Sequence, residues 1–163
     1  MRTRRFVALA GGLLLLAFGA IQLVPYGRDH TNPAVVSEPR WDSQRTRSLA
    51  VKSCFDCHRN ETVWPWYSNV APLSWQLQDH VDEGRRVLNF SDWGAGQEEA
   101  GEAAETVAEG SMPPISYRLT HPSSRLSMVE RQALIDGLLL TFRIGGKRVR
   151  DALFRGLAIA GKD

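Results

Sequence analysis

The sequence predicts an all-α protein, a small helical domain that follows a single N-terminal membrane helix. Apolar residues recur at helical spacing in several segments, and no stretch alternates apolar and polar residues as a strand would. A length of 163 residues suits one domain with short extensions. We divide the chain into an N-terminal membrane anchor or signal segment (1–24), a linker (25–40), a helical domain (41–144) and a C-terminal amphipathic extension (145–163).

The N-terminal segment carries Arg2, Arg4 and Arg5 ahead of an uncharged apolar run over residues 6–24. Basic residues before an apolar run are typical of an exported chain whose N-terminus stays inside the cell. The run is near the lower limit of a membrane span and longer than a usual signal-peptide core, so it favours an uncleaved anchor over a removed signal. This predicts a single-pass protein of the cytoplasmic membrane, with its domain on the periplasmic, outer side.

Two stretches connect the anchor to the most specific motif. Residues 30–39 are punctuated by Pro, Asn and Ser, which predicts an extended linker. Residues 43–53 predict a short helix that leads into Cys54-Phe55-Asp56-Cys57-His58. This C-x-x-C-H pattern is typical of covalent c-type haem attachment, because two thiols on one turn reach the two vinyl groups of a porphyrin while the histidine binds its iron.

Three other chemistries use similarly spaced cysteines. A thioredoxin-like dithiol requires a βαβ pattern, and no strand pattern flanks Cys54. A structural zinc site needs four ligands and would have to add His80 or His121 to the motif. A disulfide between the only two cysteines is the simplest alternative. We favour one haem c, bound covalently through Cys54 and Cys57, with His58 on the iron.

An aromatic loop follows the motif, with Trp64, Trp66 and Tyr67 around Pro65. Aromatic side chains bury large areas and stack on flat π-surfaces, so we expect at least one of the three to contact the haem. The alternative is a loop that only fills the core.

Three further helices are predicted in the domain. Residues 74–88 have apolar residues at helical spacing, with Ser74 as the candidate cap. Residues 97–109 carry alanines beneath glutamates and end at Gly110. A capping box of Ser127 and Glu130 begins a helix that runs to Phe142, and glycines 145 and 146 stop it. The final amphipathic segment could pack on the domain or lie on a membrane.

Met112 is the second candidate for chemistry. It follows a predicted helix, and Pro113 and Pro114 restrict its backbone, which suits a rigid sixth ligand to iron. A methionine that merely fills a gap in the core is the alternative. Met128 is a rival that falls at a helix start, and His80 or His121 would give iron ligated by two histidines.

The chain resembles the haem-binding domain family of small membrane-anchored bacterial c-type cytochromes over roughly residues 25–142. The matching motifs include Ser53-Cys54-Phe55-Asp56-Cys57-His58, Trp64-Pro65-Trp66-Tyr67-Ser68-Asn69, Asp79-His80-Val81, Asn89-Phe90-Ser91 and Gly110-Ser111-Met112-Pro113-Pro114. The resemblance implies a compact helical domain around one covalent haem, with Cys54 and Cys57 as thioether sites and His58 and Met112 as axial ligands. Residues after Gly145 fall outside it.

These observations favour an electron-transfer cytochrome of a respiratory chain, with redox proteins as partners. The sequence offers no acid/base pair, nucleophile triad or second metal cluster for turnover of an organic substrate, so an electron carrier is favoured over an enzyme. A net charge of +2 gives no indication of nucleic-acid binding. A haem peroxidase or gas sensor with an open distal site is the alternative function, and a structural or assembly subunit is a third.

Overall fold

The computed structural model describes residues 2–95 and 97–142, and this part of the chain is helical and contains no strand. The predicted all-α class is confirmed. Its α-helices are α1 (Arg2–Ile21), α2 (Gln44–Ser53), α3 (Phe55–His58), α4 (Leu73–Val87), α5 (Ala103–Glu109), α6 (Ile115–Thr120) and α7 (Met128–Thr141). Short 3₁₀ turns connect several of them. The predicted stop at residues 145 and 146 and the predicted C-terminal extension lie outside the described residues.

Helix α1 is long and apolar enough to cross a membrane. It has 20 residues, an 18-residue window within it has a mean hydropathy of 1.7, and none of its residues is buried against the rest of the protein. A span of the hydrocarbon core needs about 20 apolar residues at 1.5 Å each, so length and composition both suffice.

The core lies among α2, α5 and α7. Its buried side chains include Phe90 and aliphatic residues of these three helices. The aliphatic residues include Leu49, Ala104, Val107, Leu134 and Leu138. An aromatic cluster closes one side of this core, and it consists of Trp41, Phe55, Phe90, Trp93 and Phe142. Phe55 is the first residue of α3, so the core directly supports the C-x-x-C-H segment.

Three helix ends form as their residues predict. Ser43 caps α2 by accepting a hydrogen bond from the Thr46 amide, and Ser127 and Glu130 form the complete capping box at α7. Gly110 ends α5 at φ 82°, a left-handed conformation that favours glycine.

Two helix starts differ from the sequence prediction. Helix α4 begins at Leu73, after Pro72, and Ser74 is fully buried rather than serving as the cap. The buried backbone of Ser74 packs directly against Gly27. The predicted helix over residues 97–109 divides into a 3₁₀ turn, Glu98–Glu102, and the shorter helix α5. Gly101 lies at this division, and glycine weakens a helix interior.

The segment predicted as a linker is hydrogen-bonded along the domain surface. Just before it, Gln22 pairs with the backbone of Ala71 through two 2.9 Å hydrogen bonds. In its middle, Asn32 binds the Thr62 backbone, and at its end the Ser37 amide donates to the Ser91 carbonyl at 3.1 Å. The end of α1 is therefore held against the helical domain.

Arg85 of α4 joins this segment to the chain around the motif. Its guanidinium donates to the Thr31 carbonyl and to Asn32 Oδ1, both at 2.8 Å. It also donates to the Arg59 carbonyl at 3.0 Å and to Thr62 Oγ1 at 2.9 Å. Because a guanidinium presents its donors in a planar fork, one side chain connects three segments.

We expect Arg85→Gln to lower the free energy of unfolding by about 2–4 kcal/mol, because it removes four charge-assisted hydrogen bonds, two of which are part-buried, at the Arg59 carbonyl and Thr62 Oγ1. Urea unfolding followed by circular dichroism measures this change. The neighbouring Arg86→Gln is the matched control, since Arg86 pairs with Glu83 on an exposed face, where ion pairs contribute little to stability. Equal losses in the two variants would contradict the role assigned to Arg85.

Candidate haem-binding site

A cavity of about 240 Å³ lies between α3, α4 and the chain from Met112 to His121. Its wall is mainly apolar, and one face of α4 supplies much of it, through residues one helical turn apart: Leu73, Leu77, His80, Gly84 and Val87. Cys54, Cys57, His58 and Met112 all line it. The cavity therefore gathers the four candidate donors from two distant parts of the sequence.

Helices α3 and α4 touch at Gly84. A Cβ atom at this position would lie 2.5 Å from the Cys57 carbonyl oxygen and 3.0 Å from its carbonyl carbon. Only a residue without a side chain permits this approach. The contact fixes the second cysteine of the motif against the last turn of α4.

Cys54 and Cys57 are both free thiols. Burial raises the pKa of each to about 11, so both are protonated at neutral pH. Ser53 opposes the shift at Cys54 through its hydroxyl, which lies 3.4 Å from Sγ. Apolar burial of this kind makes a thiol a poor nucleophile in the folded chain.

His58 is held by one ring nitrogen. Its Nδ1 lies 3.0 Å from the Leu88 carbonyl, to which it donates, and this leaves Nε2 free to bind a metal. Burial lowers the pKa of His58, while hydrogen bonds to the backbone of Leu88 and Gly84 oppose the shift. The imidazole is therefore neutral at neutral pH, as iron ligation requires.

Another part of the wall is formed by Met112, Pro113, Pro114 and helix α6. The Met112 amide donates to the Thr106 carbonyl at 3.1 Å, which ties this turn to α5. From α6, the Tyr117 hydroxyl donates to Asp56 Oδ2 at 2.5 Å. This bond links α6 to a residue between the two cysteines of the motif, and burial together with the Asp56 bond raises the pKa of Tyr117.

The three aromatic candidates lie in different surroundings. Tyr67 lines the cavity, whereas Trp64 and Trp66 do not. Trp64 stacks on His30 of the extended segment, with ring centroids 4.7 Å apart. Trp66 points into solvent and is 80% exposed.

The structure also locates the three alternative candidates for the sixth iron ligand. His80 and His121 both line the cavity. His121 stacks on Tyr117 at 4.3 Å between ring centroids, and its Nδ1 lies 3.0 Å from Thr120 Oγ1. Met128 lies outside the cavity and is 88% exposed.

Several site residues escaped the sequence analysis. Helix α6 was not predicted, although Ser116, Tyr117 and Thr120 of this helix line the cavity. Gly84 was not singled out either. A glycine in the interior of an otherwise regular helix, as here, is the signal that could have indicated a close helix contact.

The donors fit a haem better than the other chemistries considered. Two thiols, a neutral imidazole and a thioether open on one apolar space, which are the groups that hold a c-type haem. The cysteines are not joined by a disulfide. Within residues 2–95 and 97–142, no cluster of three or more His, Cys, Asp or Glu side chains could hold a metal ion.

The fold and the site define a small helical haem protein. A family model described as "Haem-binding domain" matches residues 16–139, which is well over half of the chain. The chain therefore belongs to the haem-binding domain family. No curated protein and no solved structure matches it.

Proposed function

We propose that this protein is a membrane-anchored c-type cytochrome that transfers electrons in a respiratory chain. The observation that carries the proposal is the convergence of Cys54, Cys57, His58 and Met112 on one apolar cavity. When bound there, the haem supplies a one-electron couple between ferrous and ferric iron. The side chains of this protein hold the group, exclude water from it and set its potential.

Covalent attachment through Cys54 and Cys57 is supported by their shared opening on the cavity and by the absence of a disulfide between them. Their protonated, buried state in the folded chain fits attachment before the domain closes. His58 is the proximal ligand in this proposal, since its Nδ1 bond to the Leu88 carbonyl orients the ring and fixes the tautomer.

Met112 is favoured as the second axial ligand because it comes from a segment distant in sequence from α3, lines the same cavity as His58, and is held by the hydrogen bond from its amide to the Thr106 carbonyl. His80 of α4 also lines the cavity and is the alternative ligand. His121 is engaged with Tyr117 and Thr120. If His58 and Met112 both bound the iron, it would be six-coordinate, which favours electron transfer over binding of peroxide or gases.

The location proposed is the outer face of the cytoplasmic membrane. Helix α1 supplies a span, and Arg2, Arg4 and Arg5 at its start favour a cytoplasmic N-terminus. The Gln22–Ala71 pair would hold the haem domain close to the membrane surface.

Absorption spectra of the detergent-extracted full chain test the proposal, combined with haem staining after denaturing electrophoresis. We expect haem that stays with the polypeptide, a low-spin ferric spectrum and a ferrous form that binds carbon monoxide slowly and incompletely. Haem released by denaturation would overturn covalent attachment. A high-spin ferric spectrum with rapid carbon monoxide binding would favour the peroxidase or sensor function instead.

Met112→Ala is expected to abolish the far-red sulfur-to-iron charge-transfer band and to lower the reduction potential. Axial ligands set haem potentials over a range of about 0.8 V, and loss of a thioether is expected to lower the potential by on the order of 0.1 V. Potentiometric titration followed by absorbance measures the change. Met128→Ala is the matched control, since Met128 lies outside the cavity. An unchanged band in Met112→Ala would move the ligand role to another residue.

A further inference from the structure

A second depression adjoins the haem-binding cavity at Met112. It encloses about 480 Å³, and Met112 and Pro113 line both it and the cavity. We name it the Met128 groove and define it by its lining residues Ile115, Arg118, Leu119, Arg125, Met128 and Arg131. The turn that carries the proposed axial methionine thus separates the haem-binding cavity from a surface groove.

The groove exposes large apolar side chains. Ile115 and Leu119, one turn apart on α6, are each 65% exposed, and Met128 is 88% exposed. No residue of α6 is buried. A group of neighbouring apolar side chains on a surface is typical of an interaction site, whereas single exposed residues are not. Met adds a flexible side chain that adapts to a partner.

Positive charge surrounds this apolar surface. Arg118, Arg125 and Arg131 line the groove, and none of its described lining residues is Asp or Glu. Arg131 donates to the Val107 and Ala108 carbonyls, and Arg125 donates to the Arg118 carbonyl. Because these acceptors are neutral carbonyls, they fix the guanidiniums of Arg125 and Arg131 without neutralising their charge, so the groove favours anionic groups.

We propose that the Met128 groove is the docking surface for a redox partner protein whose contact face has an apolar centre surrounded by Asp and Glu side chains. The proposal rests on the proposed electron-transfer function. One electron passes between the haem iron and the partner's redox centre, each of which changes its oxidation state by one, and no bond forms or breaks. A partner in the groove would contact the Met112-Pro113 segment that borders the cavity.

The charge of the groove argues against the chain's own C-terminal segment as its occupant. Residues 143–163 contain six basic residues, Arg143, Lys147, Arg148, Arg150, Arg155 and Lys162, against two acidic ones, Asp151 and Asp163. Like charges facing one another across a contact are unfavourable. An acidic partner is therefore favoured over this basic segment.

The test uses the full-length holoprotein in detergent micelles, labelled with ¹³C at the methionine methyl groups. Two synthetic helical peptides serve as probes, one with a leucine stripe flanked by glutamates and the other with lysines in place of the glutamates. We expect the acidic peptide to shift the Met128 methyl resonance and the lysine peptide to leave it unchanged. At low salt, Arg118→Gln combined with Arg125→Gln should weaken binding of the acidic peptide by about tenfold.

The control is the double variant Arg40→Gln and Arg45→Gln, which removes the same charge from two exposed arginines outside the groove and should leave the affinity unchanged. Equal binding of the two peptides would overturn the proposal, as would a Met128 resonance that moves only with phosphatidylglycerol vesicles. A Met128 methyl that a soluble neutral nitroxide fails to broaden would also overturn it, because the groove would then be covered already. Failure of Met112 ligation would be visible separately, in the absorption spectrum before any peptide is added.

Discussion

Replacing Cys54 and Cys57 together with alanine is expected to eliminate haem staining after denaturing electrophoresis. The two thiols are the only cysteines of the chain, so the double variant has no residue left for a thioether. His58 and Met112 alone would then have to retain the haem through iron coordination. Haem content, measured by the pyridine haemochrome method on the purified protein, should fall to background.

The same double variant should also be much less stable than the holoprotein. The cavity wall is mainly apolar and is formed by segments distant in sequence, which the haem joins in the proposed structure. Losing the haem is expected to cost no less than about 3–5 kcal/mol, the cost of deleting a large buried aromatic side chain. Thermal unfolding by circular dichroism measures the loss.

The single variants Cys54→Ala and Cys57→Ala are the controls. Each keeps one thiol, and therefore should keep a haem that stains on the gel at reduced yield. A double variant that still carries stained haem would contradict the attachment assigned to these cysteines. A double variant as stable as the wild-type holoprotein would contradict the role of the haem in joining the walls.

The sequence predicted the fold class and the helix ends that depend on local chemistry. Ser43, Gly110 and the Ser127–Glu130 pair act within one turn of the backbone, so their residue types alone indicate the outcome. The prediction that Ser74 caps α4 was wrong. Ser74 is buried instead, and the segment around Gly27, far away in sequence, packs over it. Such tertiary contacts leave no local pattern.

The candidate donor residues of the site could be predicted because they belong to short contiguous motifs. The C-x-x-C-H and M-P-P motifs named the candidate donors, but only the structure places them on the same cavity. The hydrogen bonds of Arg85 and the Asp56–Tyr117 bond join residues separated by 23 to 61 positions, so they could not be read from spacing. The different surroundings of Trp64, Trp66 and Tyr67 could not be predicted from sequence spacing either.

Gly84→Ala should strongly destabilise the protein, although the substitution usually has the opposite effect in a helix. Alanine in a helix interior is about 1 kcal/mol more favourable than glycine. Here the new Cβ would lie 2.5 Å from the Cys57 carbonyl oxygen, which is backbone and cannot rotate away. Helices α3 and α4 would have to separate, so we expect a net loss of about 2–4 kcal/mol in the free energy of unfolding.

This separation would also move Cys57 and His58, since both belong to α3. We therefore expect a lower yield of holoprotein from Gly84→Ala, measured as haem per polypeptide, beside the loss measured by urea unfolding. Gly101→Ala is the matched control, because a Cβ there meets nothing within 4 Å, so this variant should keep its haem content and lose no stability. If Gly84→Ala were as stable and as haem-loaded as Gly101→Ala, the close contact of α4 with Cys57 would not be what positions the motif.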